Sequence, residues 1–469
     1  MESKREPHAG GGLFGWSGLP GRLGRVSSYF EGFTLKPAQT ILLSFLLVIL
    51  AGTLVLMLPF TTVREGGLPF IDALFTSTSA VCVTGLIVVD TATAFTLWGR
   101  IVVLLLIQAG GLGIMILSYF AVFAARQRIS LEEKLLLSYM LSEDNMNRLS
   151  RRVRSIIYAT FAIEAAGALL LLPYFMENRP DAGDSFLNAL FHALFHAVSA
   201  FCNAGFALFS DSLESMRGSL LVNGTIAVLI IIGGISFAVI VELGAAARAA
   251  VQTAARSRIS GVENTVRGGR KLSLNSKVVL IGTGLLLLAG ILLFYGTEHG
   301  NTLSRLPTGQ QYLAAFFQSV TLRTAGFNTI PTGSLATGTL LIMMCFMFIG
   351  AAQGSTAGGI KINTAAVILS YVKSVLSGRR DVILHRYSIS PEQVQKAFLV
   401  LLFGIVSVGL GAVFLSFSES HGLDRILFET VSAFGTVGLS TGITPSLSTV
   451  GKTVIIILMF LGRLGPLTI

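Results

Sequence analysis

A chain of 469 residues that is 52% hydrophobic and only 12% charged, with a mean hydropathy of +0.75, is not composed as a soluble globular protein. Such a protein would carry about twice that charged fraction. The net charge of +10 then reads as an excess of Lys and Arg on one side of a membrane, and no nucleic-acid partner is expected.

Residues 1–36 are glycine-rich and basic, with Lys4, Arg5, Arg22, Arg25 and Lys36, and lack the apolar core of a signal peptide. They are expected to form a cytoplasmic tail. From residue 37 one unit recurs: a long apolar helix, a shorter half-apolar segment, and a second long apolar helix. The predicted elements are 37–58, 70–85 and 99–124, then 154–172, 186–205 and 220–243. They continue with 277–296, 310–326 and 337–375, and end with 396–417, 424–438 and 452–469. The expected domains are thus the tail 1–36 and repeats 37–124, 154–243, 277–375 and 396–469.

The short segments are the most alike. Asp72–Gly85 reads DALFTSTSAVCVTG, His192–Gly205 HALFHAVSAFCNAG, Leu313–Gly326 LAAFFQSVTLRTAG and Arg425–Gly438 RILFETVSAFGTVG. They stack without gaps, with Phe75, Phe195, Phe316 and Phe428 in one column and the glycines in another, 120, 121 and 112 residues apart. A repeat at such spacing is the first feature to explain. About 12 residues of helix, at 1.5 Å each, cannot cross ~30 Å of hydrocarbon. Each segment must therefore enter and leave on one side, as backbone buried in protein or lining water. Most Lys and Arg fall in the tail and in the loops 125–154, 244–277 and 370–396, among them Arg151, Arg152, Arg154, Arg267, Arg270, Lys271, Arg379 and Arg380. Both termini and these loops are expected in the cytoplasm. The fold expected is an all-α membrane protein of eight transmembrane and four re-entrant pore helices around one pseudo-fourfold pore.

At the turns stand Val83-Thr84-Gly85, Asn203-Ala204-Gly205, Thr324-Ala325-Gly326 and Thr436-Val437-Gly438. The side chains vary and the glycine does not, so the backbone is expected to carry the function. Glycine allows unusual φ/ψ, and carbonyls turned to one axis can replace an ion's hydration shell. A short helix ending there aims its negative dipole end at the ion. No carboxylate ring is present, which argues against a divalent-cation filter. The rival reading is that these glycines only let helices approach closely.

Gly350-Ala-Ala-Gln-Gly-Ser-Thr-Ala-Gly-Gly359, followed by Lys361, interrupts the last helix of the third repeat. Gly350, Gln353, Gly354, Ser355, Thr356, Gly358 and Gly359 are poor material for a membrane helix, and unwound backbone at that depth should line the path. A phosphate-binding P-loop does not fit, because Ile360 precedes Lys361 and no Ser or Thr follows it. Arg463 lies in the apolar run 454–469, 25 residues after Gly438, while Gly350 lies 24 after Gly326. The two should share a depth. Arg463 either opposes cations and bonds the loop or snorkels to the cytoplasmic surface.

Arg323 should point behind the third strand, with Glu429 as a balancing charge. His192 and His196, at i and i+4, lack an evident third ligand and read as packing. Cys82, Cys202 and Cys345 show neither CxxC nor Cys/His clustering, so neither a disulfide framework nor a zinc site is expected. No catalytic set stands out, and an enzyme is not expected.

The motifs TSAVCVTGL, SAFCNAGF, QSVTLRTAGFNT, SAFGTVGLSTG, GSTAGGIK and GRLGP resemble the Trk/Ktr/HKT superfamily of potassium transporters, and the chain is similar to its KtrB-type membrane subunits over all but residues 1–36. The resemblance implies potassium as substrate, bound at the twelve turn residues above, and one pore per chain in a cell-membrane homodimer. It also implies that residues 350–361 form an intramembrane gate, controlled by a cytoplasmic RCK-type ring carrying the regulatory nucleotide. A chain running a little past Ile469 is a further expectation of the resemblance, while sodium dependence is left open by the sequence. A sodium- or proton-coupled symporter is the alternative; Glu164 and Glu242 are the acids in or near its spans.

Overall fold

The computed structural model describes residues 37–113, 146–178, 186–260, 272–379, 381–384 and 387–468. The tail 1–36, the continuation of the second helix over 114–124, and Arg267, Arg270, Lys271 and Arg380 lie outside the described residues.

Along the chain run α1 (Pro37–Leu56), α2 (Phe70–Val81) and α3 (Leu97–Leu112), then α4 (Met146–Asn178), α5 (Phe186–Phe201), α6 (Leu220–Gly234) and α7 (Phe237–Ser260). They are followed by α8 (Leu274–Glu298), α9 (Thr308–Thr321), α10 (Thr337–Phe348) and α11 (Ile362–Leu376). A two-stranded antiparallel hairpin, β1 (Val382–Leu384) and β2 (Tyr387–Ile389), leads to α12 (Pro391–Ser418), α13 (Leu423–Gly435) and α14 (Thr449–Thr468). The starts follow from local chemistry. Ser219, Ser273 and Ser390 cap α6, α8 and α12 by accepting from Val222, Ser276 and Gln393 backbone N–H groups. Pro391 occupies the first turn of α12, where its missing N–H costs nothing.

Apolar side chains run all round the long helices, and many are open to the surroundings: Leu47, Leu54, Leu285, Leu292 and Phe417 are 57–89% exposed. In water that would be a liability; facing lipid, it is the expected surface. Among the described residues, four helices are long and apolar enough to cross a membrane, or five if the bent pair α6–α7 is one span. Eight were expected. The difference lies in the second helix of each unit. The third unit's is split into α10 and α11, the second unit's bends by 106° between α6 and α7, and the described part of α3 ends at Leu112.

The short helices have the opposite surface. Ala73 and Phe75–Val81 of α2, and Ile426 and Phe428–Gly435 of α13, are buried. Each short helix also packs on the second long helix of the preceding unit: α5 on α3, α9 on α6, α13 on α10, and α2 on α14. That order closes on itself. The Asp72–Lys452 ion pair, at 2.7 Å, seals the contact of first and last units.

The ungapped stacking needs one correction. Phe75, Phe195 and Phe428 are fully buried, but in the third unit Phe317 is, and Phe316 is only partly so. The turn following α9 is one residue shorter. Ala325 N–H bonds the Thr321 carbonyl four residues back, whereas Thr84, Ala204 and Val437 bond Ser79, Ser199 and Ser432 five back.

Candidate functional site

The four turns converge. A Cβ added to Gly85 would fall 2.5 Å from the Ala204 carbonyl oxygen, one on Gly205 would fall 2.7 Å from that of Ala325, and one on Gly326 would fall 2.6 Å from that of Val437. On Gly438 it would collide with the Thr84 carbonyl oxygen. Each glycine thus abuts the carbonyl of the next unit, and the fourth abuts the first. The backbone explains why. Gly85, Gly205, Gly326 and Gly438 have φ of +89°, +68°, +81° and +90°, and two residues earlier Val83, Asn203, Thr324 and Thr436 have φ of +55°, +58°, +65° and +49°. Three of those four are β-branched, for which the left-handed region is a genuine outlier costing about 1–3 kcal/mol each. The same strain at four equivalent positions is over-determined by its surroundings.

Hydroxyls supply part of that determination. Ser79 Oγ donates to the Leu86 carbonyl at 2.7 Å and accepts from Gly85 N–H at 3.1 Å. Ser199 Oγ donates to Phe206 at 2.7 Å, and Thr321 Oγ1 to Phe327 at 2.6 Å. Gly438 N–H donates to Ser432 Oγ at 3.1 Å. These four residues were not singled out from the sequence, although three stand in one column of the repeat and could have been. Thr84, Thr324 and Thr436 each bury an unpartnered hydroxyl at the ring.

The sequence-predicted loop lies directly below. A Cβ on Gly358 would be 3.0 Å from Thr436 Cβ, and one on Gly359, whose φ is +65°, would be 3.2 Å from Gly435 Cα. Gly350 N–H bonds the Ile360 carbonyl at 2.7 Å, so the loop's two ends meet. On one side it docks on the α6–α7 break. Ala352 N–H bonds Gly234, Phe237 N–H bonds the Gly354 carbonyl, and Thr356 Oγ1 donates to Gly233 at 3.0 Å and to Phe201 at 3.3 Å. Opposite, Gly359 N–H bonds Gly462 at 3.2 Å. Ser355 Oγ closes a local turn onto Ala352 at 2.7 Å, Lys361 Nζ donates to the Ala357 carbonyl, and Gln353 is exposed. The α6–α7 break was not anticipated; the signal was Gly233-Gly234, which the sequence shares with Gly110-Gly111 and Gly358-Gly359.

Arg463 is buried and bridges two units. Nη1 donates to the Thr356 carbonyl and Nη2 to that of Gly110, the latter at 2.6 Å. Of the two readings, the structure has Arg463 bonded to the loop and not turned to an aqueous surface. Arg323 and Glu429 do not pair. Glu429 accepts from Ser440 Oγ and Thr444 Oγ1, both at 2.7 Å, and from Thr441 N–H at 2.9 Å. The reason is depth: Glu429 lies nine residues before its glycine and meets the strand returning outward, while Arg323 lies three before. Arg323 Nη1 is unpartnered.

His196 stacks on Phe209, with Phe175 tilted against His196 and His192 tilted against Phe209. His196 Nε2 accepts from Leu208 N–H at 3.2 Å, and its Nδ1 lies 2.8 Å from the His192 carbonyl. Both ring nitrogens are engaged with backbone. Among the described residues there is no group of three or more His, Cys, Asp or Glu placed to hold a metal. Outside the membrane-spanning segments, Asn328 Nδ2 donates to Glu214 at 2.7 Å, and burial, with Asp211 beside it, pushes the Glu214 carboxyl up.

Comparison with known proteins shows what the chain is similar to. Residues 34–469 match the family model TrkH, described as "Cation transport protein". The chain is 40% identical to the Ktr system potassium uptake protein B of Bacillus subtilis (strain 168) over 434 residues, covering 92% of each. Against the protein of that name from Vibrio alginolyticus it is 40% identical over 433 residues, covering 92% of this chain and 90% of the other. The potassium/sodium uptake protein NtpJ of Enterococcus hirae is 34% identical over 440 residues, 93% and 92% covered. Among solved structures, the potassium transporter TrkH from Vibrio parahaemolyticus superposes with a TM-score of 0.69 at 19% identity, over 93% of this chain and 85% of that one, a likeness of fold.

Proposed function

This chain belongs to the TrkH-type cation transport family, and from that premise we propose that it carries potassium across the cell membrane through a ring of backbone carbonyls. As a member it is a multi-pass transporter, not an enzyme. The observation that carries the proposal is the closed order of Gly85, Gly205, Gly326 and Gly438 against the Ala204, Ala325, Val437 and Thr84 carbonyls. Potassium is the substrate, held at Val83-Thr84-Gly85 and its three counterparts. Carbonyl dipoles replace its hydration shell; no charged side chain is needed.

The loop 350–361 is the gate of this reading, and Arg463 its latch. The loop sits against Thr436 and Gly435, directly beneath the ring, and Arg463 ties it to the first unit through Gly110. The guanidinium of Arg463 there opposes a cation in the path. Release of the Arg463–Thr356 bond is the step that opens it. A homodimer with a cytoplasmic RCK-type ring, both termini on the ring's side, completes the reading. The word "system" in the names of two relatives supports a further subunit, and the basic inter-unit loops support the orientation.

The relative named for potassium and sodium uptake favours sodium as a second cargo or coupling ion. Rubidium uptake into liposomes holding only this chain, with and without a sodium or proton gradient, separates these readings. Gradient-independent uptake with potassium competition is expected. Uptake that appears only with a gradient would make the protein a symporter.

A further inference from the structure

One polar cluster is left unused by the proposed function, and it lies behind the second strand of the ring. Glu164, inside the apolar span Val153–Asn178, is only 2% exposed. Gln108 Nε2, reaching over from α3, donates to both carboxylate oxygens, at 3.1 and 3.3 Å. The Cys202 thiol lies 3.9 Å from Glu164 Oε1 and 3.9 Å from Gln108 Oε1. Gly111 makes room for it, since a Cβ there would be 2.8 Å from Cys202 Cβ. An acid in the interior of a membrane span is expensive and calls for a role.

The cluster touches the ring through one residue. Cys202 immediately precedes Asn203, whose φ of +58° sets the turn into Ala204 and Gly205. Asn203 Nδ2 in turn donates to the Arg323 carbonyl in the third strand at 3.3 Å. A path of packed and hydrogen-bonded groups therefore runs from Glu164 and Gln108 through Cys202 to Asn203 and on to the third strand. The other units place Cys82, Arg323 and Gly435 in the Cys202 column.

We propose that Glu164 is a positioning residue for potassium selectivity: by fixing Gln108 and the Cys202 side chain it holds the left-handed turn at Asn203 and the Ala204 carbonyl it aims at the ring. This rests on the carbonyl-ring reading above. If the second strand can yield, the ring can contract around the smaller sodium ion, so preference falls before throughput does.

The test is rubidium uptake by liposomes holding the full chain, with half-inhibition by potassium and by sodium measured in parallel. Glu164→Gln keeps the size but replaces one of the carboxyl oxygens facing Gln108 Nε2 with an amide N–H₂ that cannot accept from it. The ratio of sodium to potassium half-inhibition is expected to fall about tenfold, with the maximal rate within about twofold. Glu164→Asp should recover part of the ratio. Cys202→Ala should lower it in the same direction, and the Glu164→Gln/Cys202→Ala double variant should be no worse than Glu164→Gln alone, because both act along one path. A wild-type ratio in Glu164→Gln, or additive losses in the double variant, overturns the proposal. Where Glu164→Gln does not yield folded protein, a wild-type ratio in Cys202→Ala overturns it. Gly205→Ala in the same assay separates the two layers of inference. If it abolishes selectivity while Glu164→Gln does not, only the positioning role falls; if it leaves the ratio intact, the ring reading falls as well.

Discussion

At the ring, four units do nearly the same thing: a left-handed residue, one intervening residue and a glycine, each glycine against the next unit's carbonyl. One layer below, each unit does something else. The first offers the Gly110 carbonyl near the end of α3, the second bends by 106°, the third unwinds into a loop, and the fourth continues as a helix bearing Arg463. The contrast has a physical basis. On the proposed reading, wrapping an ion in dipoles requires equivalent groups on every side, which fits a repeat kept where the four turns meet. On the same reading, closing a path requires one element that can move and others that hold it, parts a symmetric layer could not assign.

The sharpest way to break this comparison is a single Cβ at the ring. Gly326→Ala combines φ of +81° with a Cβ 2.6 Å from the Val437 carbonyl oxygen, and strain alone costs about 1–2 kcal/mol. Potassium uptake should fall more than tenfold, or lose its preference over sodium, in the liposome assay. A variant with normal uptake and preference would show that the ring is packing.

The layer below should respond in the other direction. Thr356→Val keeps the shape but removes the hydroxyl bonds to Gly233 and Phe201, and Arg463→Ala removes the bonds to Thr356 and Gly110. A net loss of about 1 kcal/mol from Thr356→Val should raise basal uptake about threefold to fivefold with unchanged ion preference. Arg463→Ala should raise it further and uncouple it from regulation. Reduced uptake in both, or altered preference in either, would merge the two layers into one function.

Outside the membrane the effect should be small. Burial and Asp211 raise the Glu214 carboxyl, so its ionisation is less favourable folded than unfolded. An acid raised in this way binds more protons when folded, and its contribution to stability declines as pH rises through the carboxylate range, upward from about 4. Glu214→Gln should flatten that decline when thermal unfolding in detergent is followed between about pH 4 and 7. Selectivity should not change, because Glu214 holds Asn328 in the outer loops and not the ring.

Much of this was legible because membrane folding is so constrained. Apolar runs, basic loops and segments too short to span lead to re-entrant helices with little freedom. The four strained turns stand where the repeated glycine column puts them. Where the sequence misleads, the missing information is three-dimensional. Phe316 replaced Phe317 because a turn one residue shorter leaves no mark in an ungapped stack. The Arg323–Glu429 pairing failed because charge type says nothing of depth. The α6–α7 break was overlooked because Gly233-Gly234 sits inside an uninterrupted apolar run, where glycine is tolerated in membrane helices.

By itself the sequence determined the class of molecule and the recurring glycine column, since these depend on local hydropathy, length and the absence of a Cβ. Only the tertiary structure decided the order in which the units close, which carbonyl each glycine meets, and that Arg463 reaches from the fourth unit to the third and first at once. Those are contacts between residues more than a hundred positions apart. They arise from how buried polar groups find partners in a low-dielectric interior, and no local pattern encodes them.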